Sequence, residues 1–145
     1  MKRVLALVFI IFCVSAGIAG ATTVLPGIRS PSGNIKCLFV PGPPANLLCS
    51  LAHADYANSL QNKCMAGPSV DWHGFQLPAT KHGTISCSGG ILYNPSTQRP
   101  HYATLAYGGV WRHAMFTCWS RTTGMTCQNR ANHGLFISRQ TWRTW

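Results

Sequence analysis

The stretch Cys118–Cys127, "CWSRTTGMTC", places two cysteines on either side of a short polar tip. The tip, Thr122-Thr123-Gly124, has the composition that tight turns favour. Folding the chain about Thr122 and Thr123 puts Cys118 directly opposite Cys127, at the distance of a cross-strand disulfide. The stretch therefore predicts a β-hairpin closed by a disulfide, and so an antiparallel β-structure in this part of the chain.

The rest of the chain repeats this pattern of short strands separated by turn residues. Strand-forming runs cover Asn34–Val40, Asn46–Leu51, Thr84–Ser88, His101–Tyr107, Val110–Trp119, Gly124–Asn129 and Leu135–Arg139. Both faces of the Val110–Trp119 run carry apolar groups, as in a strand inside a sheet. Only Leu51–Lys63 allows a short helix. We therefore predict an all-β or β-dominated fold, a small disulfide-stapled antiparallel sandwich or barrel with room for one short helix.

The N-terminus has the features of an export signal. A short positive start, Met1–Arg3, precedes an apolar run from Val4 to Ile18, and Ala19–Ala21 fits the small-residue cleavage rule. The run of about 15 residues is shorter than the roughly 20 that a spanning helix needs. We predict a signal peptide over residues 1–21, a single secreted or periplasmic β-rich domain over residues 22–145, and no stable membrane span after signal removal.

Six cysteines follow residue 21, and an even number in an exported chain is typical of a disulfide framework. They are Cys37, Cys49, Cys64, Cys87, Cys118 and Cys127. Cys37 and Cys49 flank two apolar segments around a Pro-Gly-Pro-Pro turn, which favours a second local bridge. Cys64–Cys87 then follows by elimination. The chain has no C-x-x-C pair, so we predict no metal site and no cofactor.

The charge of the chain is strongly one-sided. Twelve Lys and Arg stand against two acidic residues, and without Lys2 and Arg3 the formal net charge is +8. Such a domain attracts anions, and the partners that we predict are an anionic glycan, a cell-envelope polymer or an acidic protein, ahead of nucleic acid. The alternative is that the charge only keeps an exported domain soluble.

Three segments resemble an uncharacterised family of small secreted bacterial domains. They are "SPSGNIKC" (Ser30–Cys37), "LAYGGVWRHAMFTCWSRTTGMTCQN" (Leu105–Asn129) and "NHGLFISR" (Asn132–Arg139). Asn132 stands where the family often has glycine, and Leu135 intervenes before Phe136. The resemblance implies export, a β-rich fold and local disulfides. It implies no activity and no catalytic residues, because the family's function is not known.

Catalytic candidates are few, because the chain has only the carboxylates of Asp55 and Asp71. Asp71 and His73 would share one face of a strand, and a histidine-based phosphodiesterase would need two histidines and a cation at one phosphate. The best candidates for acid–base chemistry are Asp71, His73 and His133. We favour a structural role for Val70–Pro78, in which Trp72 and Phe75 anchor the chain and His73-Gly74 turns it.

The C-terminal third mixes arginine with aromatic residues. The candidate binding residues are Arg112, Arg121, Arg130, Arg139, Trp142, Arg143 and Trp145. Arginine beside an aromatic ring stacks on sugars or bases while it pairs with carboxylate or phosphate. The sequence therefore predicts an exported, non-enzymatic binding module with a basic-aromatic surface for an anionic partner. The alternative is a small secreted hydrolase, either ribonuclease-like or acting on glycans.

Overall fold

The computed structural model describes residues 22–66, 71–88 and 93–145, so the predicted signal peptide lies outside the described residues. Within these ranges the chain forms eleven strands and one helix, in the order β1 (Thr23–Arg29), β2 (Ile35–Val40), β3 (Asn46–Leu51), α1 (Ala57–Met65), β4 (Asp71–Pro78), β5 (Thr84–Ser88), β6 (Gln98–Thr104), β7 (Val110–His113), β8 (Phe116–Arg121), β9 (Gly124–Asn129), β10 (Gly134–Ile137) and β11 (Trp142–Thr144). The helix is not long and apolar enough to cross a membrane.

The strands form two sheets that share one core. The first sheet has the order β5-β4-β3-β2-β1-β6, and the second has the order β11-β10-β9-β8-β7. Neighbouring strands are antiparallel apart from β1 and β6, which are parallel. The predicted disulfide-stapled, β-dominated fold is confirmed, and in the described residues it is built from two open sheets without a closed barrel.

Three disulfides stabilise the fold, and their pairing is the one that the sequence predicts. They join Cys37 to Cys49, Cys64 to Cys87 and Cys118 to Cys127. The Sγ atoms of Cys37, Cys49 and Cys127 lie within 4.8 Å of one another, so two of the bridges face each other across the core. Met125 Sδ lies 3.6 Å from Cys37 Sγ in the same cluster. Three disulfides indicate an oxidising environment.

The single helix of the described chain packs against β4. Leu60 and Cys64, one turn apart, are both buried, and Cys64 is bridged to β5. Just before the helix, Tyr56 Oη donates a hydrogen bond to Ser138 O at 2.9 Å, which ties the helix to the end of β10. Burial, and secondly the charge of Asp55, raise the pKa of Tyr56 above its ordinary value of 10.0. The tyrosine is therefore a neutral packing and hydrogen-bonding group.

One expectation is wrong: Val110–Trp119 is not a single strand. It forms a hairpin of β7 and β8, with Ala114 and Met115 in the turn and His113 opposite Phe116. His113 packs against Phe39, with ring centroids 4.5 Å apart, and Phe116 is 1% exposed. Residues three apart on one strand point to opposite faces. The turn allows the side chains of His113 and Phe116 to lie on the same face of the sheet, toward the core. Ala114 adopts a left-handed φ of 51° in this turn.

The structure also contains strands that the sequence does not predict. β1 and β11 are new, and β6 begins three residues before the predicted run. β4 runs through His73 and Gly74, where we expected a turn. Its register shifts between Trp72 and Gly74, so the glycine supports a β-bulge within the strand.

Candidate functional site

The outer face of the second sheet carries the candidate site. On β8 and β9, the residues Phe116, Cys118, Met125 and Cys127 are buried, while Trp119 between them is partly exposed. Because side chains alternate between faces, each neighbour of a buried residue on these strands points outward. One row of outward-pointing residues therefore crosses all five strands, and each residue in it lies opposite the next on the neighbouring strand. The row consists of Val110, Trp119, Thr126, Phe136 and Arg143.

Aromatic rings and guanidinium groups lie beside one another on this face. The Arg143 guanidinium carbon lies 5.7 Å from the ring centroid of Phe136 and 5.5 Å from that of Trp145, both within cation–π range. A Cβ on Gly134 would approach the Trp145 ring to 2.5 Å, so the ring rests on the bare glycine. We use the term basic-aromatic surface for the set Arg112, Trp119, Arg121, Phe136, Arg143 and Trp145.

The strands that carry this surface contain no acidic side chain. No Asp or Glu occurs anywhere from residue 72 to residue 145. Arg112 and Arg121 are exposed and make no hydrogen bond or ion pair with any described residue. Both guanidinium groups are therefore free to pair with a ligand, and neither would first have to break an existing contact.

A shallow hollow lies in the basic-aromatic surface. Its volume is about 240 Å³, and it is lined by Trp119, Arg121, Thr123, Thr126, Phe136 and Arg143. Two aromatic residues and two cations thus border one open depression. Such a site suits an extended ligand that passes over the sheet better than it suits a molecule that must be enclosed.

Three of the predicted binding residues lie elsewhere. Arg130 donates a hydrogen bond to Ala114 O at 3.4 Å, and Arg139 forms a salt bridge with Asp55 at 3.0 Å. Trp142 lies on the inner face, with its ring centroid 5.2 Å from that of Phe75. The first two side chains have partners within the protein and the third packs against the core, so we leave all three out of the basic-aromatic surface.

Trp119 and Phe136 belong to the surface but were not among the predicted site residues. A signal for Trp119 was present in the sequence. Once Cys118 pairs with Cys127 inside the sandwich, the next residue along the strand has to point outward. The sequence contains no comparable signal for Phe136, because the sheet face on which its side chain lies depends on the pairing of β10 with β9.

No hydrogen bond joins Asp71 to His73 in the described part of the chain. Both are exposed at the start of β4, and the bulge at His73 interrupts the regular alternation that would place them side by side. Asp71 Oδ1 instead accepts a hydrogen bond from Gln61 Nε2 at 3.0 Å, which links β4 to the helix. Gln61 also accepts from the backbone N–H of Trp72 at 3.0 Å. These contacts attach the start of β4 to the helix.

His133, the other acid–base candidate, meets a second histidine. Its ring centroid lies 6.0 Å from that of His82, in an edge-to-face arrangement. Asn129 holds the two loops together, because its Nδ2 donates to the carbonyl oxygens of Pro78 and Lys81 at 2.8 and 2.9 Å. In the described residues no further histidine, cysteine or carboxylate completes a metal-ligand group with the pair.

Several polar residues of the segments that resemble the family have structural partners. Ser30 Oγ accepts from the backbone N–H of Ile35 at 3.1 Å, and Ser138 Oγ accepts from that of Thr141 at 3.1 Å. Asn129 Oδ1 likewise accepts from the backbone N–H of His133 at 3.1 Å. These side chains replace missing backbone partners in turns, so their presence is explained without any catalytic role.

The geometry thus describes a disulfide-bonded β-sandwich with an open, cationic and aromatic sheet face. A family model described as a family of unknown function (DUF6636) matches residues 6–143. The chain belongs to that family. No curated protein and no solved structure matches the chain.

Proposed function

We propose that this protein is a secreted or periplasmic, non-enzymatic binding module whose basic-aromatic surface takes an anionic polymer such as an acidic glycan of the cell envelope. The observation that carries the proposal is the pairing of free arginines with aromatic rings on a sheet face whose strands contain no carboxylate side chain. Aromatic rings stack on sugars, and arginines pair with the carboxylate or sulfate groups along the same polymer.

The shape of the surface supports a polymeric ligand. Adjacent strands lie about 4.8 Å apart, so the row from Trp119 to Arg143 extends over three strand spacings. The hollow between Trp119 and Phe136 is open, and the cations Arg121 and Arg143 border it. A linear acidic chain is able to contact both rings and both cations at once, whereas a single small anion reaches only part of the row.

The test compares two double variants with the same loss of charge. Arg112→Ala/Arg121→Ala removes two free cations of the surface, and Lys81→Ala/Arg99→Ala removes two exposed cations outside it. On immobilised heparin or polygalacturonate in 50 mM salt, we expect the first variant to bind about tenfold or more weakly than the unaltered protein, and the control to stay within about twofold. Trp119→Ala should weaken the retention that remains at high salt, since stacking is less screened than charge.

Two results would count against the proposal. If polymer binding were weakened equally in the two double variants, net charge alone would attract the polymer. That result would support the alternative interpretation of the composition. If the protein were not retained at any salt concentration, an anionic polymer would be excluded as its ligand.

A further inference from the structure

A polar pocket lies at the end of the sandwich where three turns meet. The turn between β1 and β2, the tip of the β8–β9 hairpin and the segment after β10 supply its walls, and its volume is about 350 Å³. This is within the range of about 300–1,000 Å³ found for small-molecule sites. Arg121 lines both this pocket and the hollow of the basic-aromatic surface, so the two sites are adjacent.

The pocket walls are held in place by hydrogen bonds within the protein. Asn34 Nδ2 donates to His53 O at 3.0 Å, and Asn34 Oδ1 accepts from the backbone N–H of His53 at 2.8 Å. Ser30 fixes the β1–β2 turn, and Ser138 fixes the segment after β10, through the backbone bonds described above. A ligand therefore meets a preformed pocket and does not have to order these turns.

The pocket lining combines two guanidinium groups with neutral polar groups. Arg121 has no hydrogen-bond or ion-pair partner among the described residues, and Arg139 contacts Asp55 through its Nε, which leaves its terminal amino groups. The side chains of Tyr107, Thr123 and Gln140 also line the pocket and make no hydrogen bond in the described structure. Among the described residues, no carboxylate side chain lines the pocket. The pocket therefore offers cationic donors together with hydroxyl and amide groups.

We propose that this pocket binds a compact anion that carries several hydroxyl groups, namely a sugar acid or a sugar phosphate. A carboxylate or phosphate would pair with the free guanidinium of Arg121. The sugar hydroxyls would bond to the side chains of Thr123 and Gln140, which both donate and accept. The inference goes beyond the proposed function, because Asn34, His53 and Gln140 lie outside the basic-aromatic surface.

The experiment is a titration of the disulfide-intact protein, followed by the chemical shifts of its backbone amides in NMR spectra. The probes are glucuronate, glucose 6-phosphate, inorganic phosphate and, as a neutral control, glucose. We expect saturable shifts around Asn34, Thr123 and Gln140 with at least one of the two acidic sugars, at an affinity about tenfold or more above that of glucose. The relative affinities of glucuronate and glucose 6-phosphate show which anionic group the pocket prefers.

Variants test the assigned contacts. Arg121→Ala should weaken binding of the preferred acidic sugar about tenfold and Gln140→Ala about threefold, while Arg99→Ala, outside both sites, should bind as the unaltered protein does. Three results would overturn the inference: no saturable shift with either acidic sugar, equal binding of inorganic phosphate, or shifts confined to Trp119, Phe136 and Arg143. Unchanged unfolding midpoints of the variants would show that loss of binding is not loss of fold.

Discussion

At the scale of single residues, Gly74 shows how one position fixes a feature that the sequence left open. Its φ is 116°, and a Cβ there would overlap the carbonyl oxygen of Cys49 on the neighbouring strand. The glycine thus allows β3 to lie at the ordinary inter-strand distance from the bulge in β4. From the sequence, the dipeptide His73-Gly74 is interpreted as a turn. The bulge could not be predicted, because the sequence does not show which strand lies beside the glycine.

Gly74 and Gly33 form a matched pair for a stability test. Gly33 also has a positive φ, 74°, but no atom of the described residues lies within 4 Å of an added Cβ. Gly33→Ala should therefore cost about 1–2 kcal/mol for the left-handed conformation alone. Gly74→Ala adds a clash with backbone and should cost about 3 kcal/mol or more. Urea unfolding measures both, and equal losses would show that the contact with Cys49 imposes no constraint.

At the scale of elements, the two disulfides within hairpins differ from the one that attaches the helix. Cys37–Cys49 and Cys118–Cys127 connect residues directly opposite each other on paired strands, 12 and 9 positions apart. Cys64–Cys87 spans 23 positions and joins α1 to the edge strand β5. The first two reinforce pairings that turn geometry already favours, whereas the third holds an element that contacts the rest mainly through one face.

The accessibility of the bridges leads to a prediction about reduction. The four hairpin cysteines are at most 1% exposed, whereas Cys87 is exposed. Because thiol–disulfide exchange needs access to a sulfur, a mild reductant under native conditions should open Cys64–Cys87 first. Alkylation followed by peptide mass analysis will detect this as early labelling of Cys64 and Cys87. Simultaneous labelling of Cys118 and Cys127 would mean that reduction proceeds through global unfolding.

A double variant tests whether the Cys64–Cys87 bridge stabilises only the attachment of the helix or is required for the whole sandwich. Cys64→Ser/Cys87→Ser should lower the free energy of unfolding by about 3 kcal/mol, the value for a loop of this size. The two sheets should remain folded, because the hairpin bridges and the shared core are untouched. Loss of the β-sheet circular dichroism signal in this variant would instead show that the helix attachment is required for the sandwich to form.

At the scale of the whole molecule, β1 joins distant parts of the chain. It pairs antiparallel with β2 and parallel with β6, from Thr23 opposite Gln98 to Arg29 opposite Thr104. β6 is the edge strand of this sheet, and β1 is its neighbour in the sheet order. The position of β6 on the sandwich therefore depends on a strand that is separated from it by about half of the chain.

Two N-terminal truncations test this dependence. Removal of residues 1–21 leaves β1 complete and should leave the free energy of unfolding unchanged within about 0.5 kcal/mol. Removal of residues 1–29 also deletes β1, so β6 loses its partner and β2 becomes an edge. We expect a marked fall in the unfolding midpoint and loss of amide protection in β6. A midpoint shared by the two truncated proteins would show that β1 contributes little.

The sequence by itself determined much of the local structure, apart from the hairpin turn at Ala114 and the bulge at His73. Turn residues and the strand-forming runs between them located β2, β3, β5 and β9 closely, and the hairpin connections placed Cys37 opposite Cys49 and Cys118 opposite Cys127. These features depend on contacts between residues close in sequence, so strand propensity and turn chemistry are sufficient to predict them.

Only the tertiary structure decided which strands become neighbours and which side chains share a face. The parallel pairing of β1 with β6 and the row from Trp119 through Phe136 to Arg143 both depend on register between separate strands. A shift of one residue in any of these pairings would exchange the inner and outer faces of a strand. The residue types of the candidate surface were therefore visible in the sequence, but their assembly into one surface was not.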